Sequence, residues 1–490
     1  MMRVLHVCAE LYPLLKTGGL ADVTGALPPA LATLGCDARV LVPGFPALRQ
    51  GVADQELVAD LSGRFGAEIV RLYCGLLPDS ATLVYVIDAP QLYDRPGNPY
   101  SDSANRAYLD NDRRFALLGR VAAWLAEGGD PYWRPQVLHG HDWHAGLTMA
   151  YLKAREHQTG RRLAGSVYTV HNLAYQGIFD ASSFGAFGLP DYFFNLYGLE
   201  YHGQVSFMKA GLFYADKLTT VSPTYAREIQ QPEQGCGLDG LLASRSHDLY
   251  GIMNGVDPAI WNPAADKLIA ANYDAADLSG KKACRHTLQE EFGLAQRDDA
   301  LLFCVVSRLT EQKGLQLVLA GLPALMERGG QLALLGSGDP GMETALLETA
   351  RQHPASVAVR IGYDEALSHR LIAGADVILV PSRFEPCGLT QLYGLAYGTL
   401  PLVHRVGGLA DSVVDCSLEN LAEDRATGFT FDGFDVDAYH AAMRRAFALH
   451  ARPDDLAQAR RCAMRQQFSW EVAARQYLAL YEQVAVLEPQ

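Results

Sequence analysis

Short apolar runs separated by longer helical periods recur along almost the whole chain, and this alternation limits the fold more than any other feature. In the first half the runs fall at 4–9, 38–42, 83–87, 137–139, 166–170 and 217–221. Helical spacing fills 113–126, 145–155 and 204–214 between them. Such alternation predicts parallel strands joined by right-handed crossovers, an α/β doubly wound sheet. Pro28 and Pro29 fall inside the first helical period. Proline removes an amide donor and clashes with the preceding turn, so that helix is expected to kink or split.

Turn chemistry interrupts the pattern at "GIMNGVDPAIWNP", residues 251–263, through Asn-Gly, Asp-Pro and Asn-Pro. This reads as a linker, followed by an irregular approach, "AADKLIAANYDAADLSGKK". Alternation then restarts with "ALLFCVVSRL", "QLALLGSG", "SVAVRIGY", "DVILVPSR" and "TLPLVHR", a second parallel sheet. The expected division is a domain over 1–251, a second over 252–468, and a terminal helix over 469–490 that can pack back on the first domain. Open α/β sheets bind ligands beyond the C-terminal ends of their strands. Two such edges facing each other would make a cleft, and the loops after each strand become the candidates for function.

A chain of 490 residues, 49% hydrophobic and 20% charged, has ample apolar content for two cores. Its net charge of -14 disfavours a general nucleic-acid binder, and any anionic ligand must meet a local cluster of Lys and Arg. Nine cysteines stand singly with no CxxC pair, the pattern of a reduced, cytoplasmic protein with buried thiols. The N-terminus runs straight into a strand with no secretory signal, and no apolar run is long enough to span a bilayer.

In "KTGGLADV", Lys16, Gly18 and Gly19 stand at the turn from the first strand into the first helix. The spacing fits neither a Walker A loop nor GxGxxG. Glycines there let backbone amides approach a ligand, and a helix start favours negative charge, though a plain surface turn has the same look. "HGHDWHAG" follows another strand with three histidines, Asp142 and Trp143. It lacks HExxH, and Asp142 with Trp143 also suits a sugar, a carboxylate for hydroxyls and an indole for a ring face. "TVHNLAYQG" sets His171 and Asn172 at a strand end.

In the second half, "VVSRLTEQKG" carries Arg308 and Lys313 in one strand-to-helix loop, two cations suited to a diphosphate. "VPSRFEPCGLTQLYGLAYGTLPLV" places Glu385 in a loop and opens a helix at Cys387, Gly388, Leu389 and Thr390, where amides can meet phosphate. Glu385 itself repels phosphate and suits sugar hydroxyls or a cationic centre.

Together these five motifs, in this order and over nearly the whole chain, resemble the bacterial ADP-glucose-dependent glycogen synthases and the related plant starch synthases. The resemblance implies a GT-B fold, two Rossmann-like doubly wound parallel-sheet domains facing a deep cleft. It implies a retaining glucosyltransferase that moves glucose from ADP-glucose to the non-reducing end of an α-1,4-glucan, with the first domain on the acceptor side and the second binding the nucleotide-sugar. It assigns Lys16 and Gly19, with Gly18, to the phosphate–glucose region. Arg308 and Lys313 take the diphosphate with amides near Gly388, Leu389 and Thr390. His171 and Asp142 take glucose hydroxyls, and Asn254 approaches the sugar. Glu385 is the acidic residue near glucose. Tyr363 and Tyr93 flank adenine, an aromatic-core role staying open for both. The wider superfamily has a second glutamate eight residues after the first; here Tyr393 stands there, as in this family's own "QLYG". No metal or cofactor is implied, and no membrane or nucleic-acid partner. The alternatives are a GT-B transferase using UDP-glucose and a catalytically inactive glucan-binding protein.

Overall fold

The computed structural model describes residues 1–486. The chain divides into two compact units, 1–255 with the C-terminal segment from Trp470, and 256–469. The division thus falls four residues beyond the expected 251, and Val256 and Ser469 form a parallel bridge at the base of the second unit.

The first unit is built on a nine-stranded sheet: β1 Met2–Val7, β2 Cys36–Pro43, β3 Ala53–Asp60, β4 Arg71–Leu76, β5 Leu83–Asp88, β6 Val137–His141, β7 Gly165–Val170, β8 Lys217–Thr220 and β9 Leu249–Gly251. Their order is β9-β8-β7-β6-β1-β2-β5-β4-β3. Seven strands are parallel, and β4 and β3 extend one edge as an antiparallel ribbon. The central strands β6 and β7 are buried throughout, as a parallel sheet covered on both faces requires. The chain order reverses between β1 and β6, so the loops after these two strands open at a topological switch point.

Two expectations change here. The Gly19–Thr33 helix runs through Pro28 and Pro29 without a break. Two intrahelical donors are lost, but Leu20, Ala21, Val23, Leu27, Pro28 and Leu31 are buried, and packing outweighs the local penalty. The period at 204–214 begins as a strand, Gln204–Ser206; the helix is Phe207–Tyr214, with the Ser206 side chain accepting from the Lys209 amide.

The C-terminal helix Trp470–Val484 belongs to the first unit. Trp470, Ala473, Ala474, Tyr477, Leu480, Tyr481 and Val484 follow the three-and-four spacing of one face and are buried in a cluster with Val23, Leu27 and Leu31. Each large apolar side chain so buried contributes roughly 1.5–3 kcal/mol.

The second unit has six parallel strands: β10 Leu302–Val306, β11 Gln331–Gly336, β12 Val357–Ile361, β13 Val377–Val380, β14 Leu400–His404 and β15 Phe429–Phe431. Their order, β12-β11-β10-β13-β14-β15, is that of the Rossmann fold, with the switch point between β10 and β13. Two apolar clusters cover the faces of this sheet. All nine cysteines are free. Among the described residues, no helix is long and apolar enough to cross a membrane.

Candidate functional site

The switch point of the second unit gathers the charged candidates of that half. Arg308 lies just after β10 and is exposed. Lys313 lies in the same loop, and its Nζ is 2.5 Å from Glu385 Oε2. Glu385 comes from the loop after β13, is buried, and accepts a second bond from Ser382 Oγ at 2.9 Å. Backbone geometry enforces this meeting. Gly314 has φ +73, and a Cβ there would stand 1.9 Å from the Pro381 carbonyl. Gly407 has φ +44 and closes on the Glu385 carbonyl at the same distance. Both positions demand glycine.

Beyond Glu385, Cys387 is buried and Gly388 takes φ +72. The Gln391 amide donates to the carbonyls of Cys387 and Gly388 and to Ser412 Oγ, fixing the turn. Leu389 caps the short Thr390–Ala396 helix, and Leu389 and Thr390 are part-exposed. Tyr363, after β12, is 74% exposed, and its hydroxyl donates to Glu365.

In the first unit, Lys16 is exposed and pairs with Asp22 at 2.8 Å. A Cβ on Gly18 or Gly19 would meet nothing within 4 Å, so packing within the chain does not explain either glycine. The loop is held from below by Glu10, a residue the sequence reading missed. Its buried carboxylate accepts from the Thr17 amide at 2.7 Å, the Gly18 amide at 3.3 Å, Thr17 Oγ1 and the Tyr100 hydroxyl. A carboxylate just past a strand end, six residues before Lys16 and eight before Gly18, was the available signal.

Asp142, directly after β6, has φ +58 and ψ -177, a conformation that costs of order 1–3 kcal/mol outside glycine. It is held by its own bonds: its amide donates to Thr169, and its carboxylate accepts from the His171 amide at 2.8 Å and the Asn172 amide at 3.3 Å. Burial pushes its carboxyl up to about 7, against the pull of those two amides. Asp142 therefore clamps the strand end that carries His171. Asn172 is part-exposed, its side-chain oxygen accepting from the Ala174 amide. Asn254 is buried near the end of the unit, three residues after β9.

One aromatic assignment is corrected. Tyr93 is 1% exposed, and its hydroxyl donates to the Arg114 carbonyl inside the core, so it cannot flank an adenine. Trp143 is part-exposed and packs among Phe115, His144, Phe179 and Phe207.

Strand register brings further histidines together. β1 beside β6 pairs His6 with His139, and β6 beside β7 pairs His141 with Thr169. The ligand atoms of His6, His139 and His141 lie within 4.8 Å of one another. All of their nitrogens but His6 Nε2 are already engaged: His139 with Tyr481 and Thr169 hydroxyls, His141 with His6 and His171.

Residues 3–244 match the family described as starch synthase catalytic domain, and 288–462 match glycosyl transferases group 1. The chain is 59% identical over 482 residues to a glycogen synthase of Francisella tularensis subsp. novicida, covering 98% of this chain and 99% of that one. The chain belongs to the glycogen synthase family. A glycogen synthase of Francisella philomiragia subsp. philomiragia is likewise 59% identical, over 99% of this chain and all of its own length. The catalytic domain of starch synthase IV from Arabidopsis thaliana, solved bound to ADP and acarbose, superposes with a TM-score of 0.88 at 31% identity, covering 98% and 99% of the two chains. A sucrose-phosphate synthase from Thermosynechococcus elongatus, at 18% identity and a TM-score of 0.56 over 99% of each chain, shares the fold. This glycogen synthase family member is a glycosyltransferase of glycogen synthesis with the GT-B architecture.

Proposed function

We propose that the enzyme transfers glucose from ADP-glucose to the non-reducing end of an α-1,4-glucan, with retention at the anomeric carbon, in the cytoplasm. The observation that carries this reading is the Lys313–Glu385 contact at the switch point of the second unit, where a nucleotide-sugar belongs in a Rossmann-like domain. The ADP and acarbose bound to the starch synthase IV relative support a nucleotide donor and a glucan-like acceptor.

Chemistry follows from where charge develops. As the glucosyl–phosphate bond breaks, negative charge builds on the leaving diphosphate. Lys313, Arg308 and the amides of Gly388, Leu389 and Thr390 supply preorganised positive potential for it. Glu385, whose negative charge repels phosphate, holds Lys313 in place and faces the sugar, where positive charge develops at the anomeric carbon. Tyr363 offers an exposed ring for adenine. From the first unit, Lys16 and the Gly18–Gly19 backbone serve the phosphate–glucose region, and His171 serves a glucose hydroxyl. Asp142 acts as a positioning residue for His171 and Asn172, and Asn254 approaches the sugar. Transfer of radiolabelled glucose to glycogen from ADP-glucose and from UDP-glucose tests the reading. Strong preference for ADP-glucose is expected; equal or better transfer from UDP-glucose would refute the donor assignment.

A further inference from the structure

A row of three imidazoles runs beneath the strand ends of the first unit. His6 Nδ1 lies 3.1 Å from His141 Nε2, and His141 Nδ1 lies 3.0 Å from His171 Nε2. His6 and His141 are fully buried, while His171 is part-exposed at the end of β7. At the far end His6 Nε2 is buried with no hydrogen-bond partner among the described residues.

Proton counting restricts this row. Burial holds all three rings neutral, with His6 and His171 lowered to about 3 and His141 well below its ordinary value. Each neutral imidazole carries one N–H. Each of the two N···N contacts needs one proton between its atoms. If both outer rings donated inward, His141 would be an anion. If it donated both ways, it would be a buried cation. Only two ordered arrangements remain. In one, His171 donates to His141 and His141 to His6, leaving His6 Nε2–H as a buried donor with no acceptor. In the other, His6 donates to His141 and His141 to His171, so the third N–H stands on His171 Nδ1. Buried orphan N–H groups are the rarer defect, at about 1–3 kcal/mol each. The second arrangement leaves a bare lone pair on His6 and puts the spare donor where water or ligand can accept it.

We propose that His6 and His141 are positioning residues that fix the tautomer of His171, so that it presents Nδ1–H as a hydrogen-bond donor to a substrate oxygen. The proposal deepens the role given to His171 above and rests on that reading for its substrate. His139 flanks the row without joining it, since both its nitrogens are taken by Tyr481 and Thr169. Its ring lies 4.1 Å from that of His141, centroid to centroid, and keeps that ring from turning over.

The test is ring-nitrogen NMR on the full chain labelled with ¹⁵N-histidine, the His171 signals being identified by their loss in His171→Gln. In the unsubstituted protein His6, His141 and His171 are each expected to carry the proton on Nδ1, the less common tautomer of a free histidine side chain. In His6→Phe, which cannot donate, His171 is expected to become a mixture of tautomers and kcat/KM to fall on the order of tenfold, the value of about one neutral hydrogen bond. In His6→Gln, whose amide can donate to His141, the single tautomer and the rate should return. A proton on Nε2 of His171 in the unsubstituted protein would overturn the proposal. So would an unchanged His171 tautomer in His6→Phe, or a stoichiometric metal ion bound by His6, His139 and His141. A tautomer that follows His6 while the rate stays constant would uphold the row and instead count against His171 as a sugar contact.

Discussion

Lys313 Nζ lies 2.5 Å from Glu385 Oε2, and Ser382 Oγ donates to the same oxygen. A buried carboxylate thus binds a cation that the proposed reaction also needs. Removing either partner leaves the other without its counter-charge, so the two act as a unit.

Lys313→Ala is expected to lower kcat/KM by ~2–4 kcal/mol, the scale for losing a charge-assisted contact made to a developing anion. Arg308→Ala falls in the same range. Lys313→Ala combined with Glu385→Gln should cost less than the two singles added, because the pair is already broken. Near-wild-type turnover in both cation variants would mark Arg308 and Lys313 as ordinary surface charges.

The two tyrosines are expected to separate cleanly. Tyr363→Ala should raise the KM for the donor roughly fivefold, for one lost stacking partner, without moving Tm. Tyr93→Phe should lower stability by about 1 kcal/mol, through the loss of one buried hydrogen bond to the Arg114 carbonyl, and leave donor KM alone. A reversed pattern, read by thermal melts and steady-state kinetics, would restore Tyr93 to the site.

How much of this was legible in the sequence follows from what each feature depends on. β6 and β7 could be read because they are apolar through their length and buried on both faces. β3 could not: it is a half-exposed edge with Asp, Gln and Glu along it, and its pairing with β4 carries register shifts. Lys16, Arg308, Lys313 and Glu385 could be named as candidates because they sit within short contiguous motifs. Tyr93 and Tyr100 lie seven residues apart in one segment, and only the tertiary packing turns the first inward and the second toward Glu10. The His6–His141–His171 row needs the register of β1, β6 and β7 together, which no local pattern encodes.

Full activity is expected after exhaustive EDTA treatment. The proposed leaving-group charge is met by Lys and Arg, which can take over the electrostatic role that a divalent ion plays in other transferases. Loss of activity with EDTA and its rescue by Mg²⁺ or Mn²⁺ would contradict this.

Buried histidines should make the fold acid-sensitive. His6, His144 and His171 are each lowered to about 3 by burial, from an ordinary value of 6.5. As pH falls below 6.5 the unfolded chain takes up protons that the folded one refuses. Stability is therefore fully present above about 6.5 and drains as pH falls toward 3, by up to about 1.4 kcal/mol per pH unit for each ring. His144 Nδ1 is buried without a hydrogen bond, and its ring stacks on Tyr100, so His144→Phe should keep the packing and shed one titrating group. Tm measured from pH 7.5 to 4.5 should fall less steeply in that variant. An equal or steeper slope would show that His144 is protonated in the fold.

Stereochemistry gives the sharpest test of mechanism. A double displacement would need a nucleophilic carboxylate on the face of glucose opposite the leaving diphosphate. Glu385 is bound through Oε2 to Lys313 and Ser382, beside the cation proposed for the diphosphate. Asp142 is occupied with the amides of His171 and Asn172. Neither is disposed as a free nucleophile, and a front-face substitution through an oxocarbenium-like state is the expected path, the departing phosphate helping to deprotonate the acceptor hydroxyl. The first product linkage, followed by NMR, should be α. Glu385→Gln should lose most of its turnover yet bind ADP within a few-fold of the unsubstituted enzyme, since other groups hold the diphosphate. A glucosyl-enzyme trapped on any carboxylate, or a β-linked first product, would replace this path with a different one.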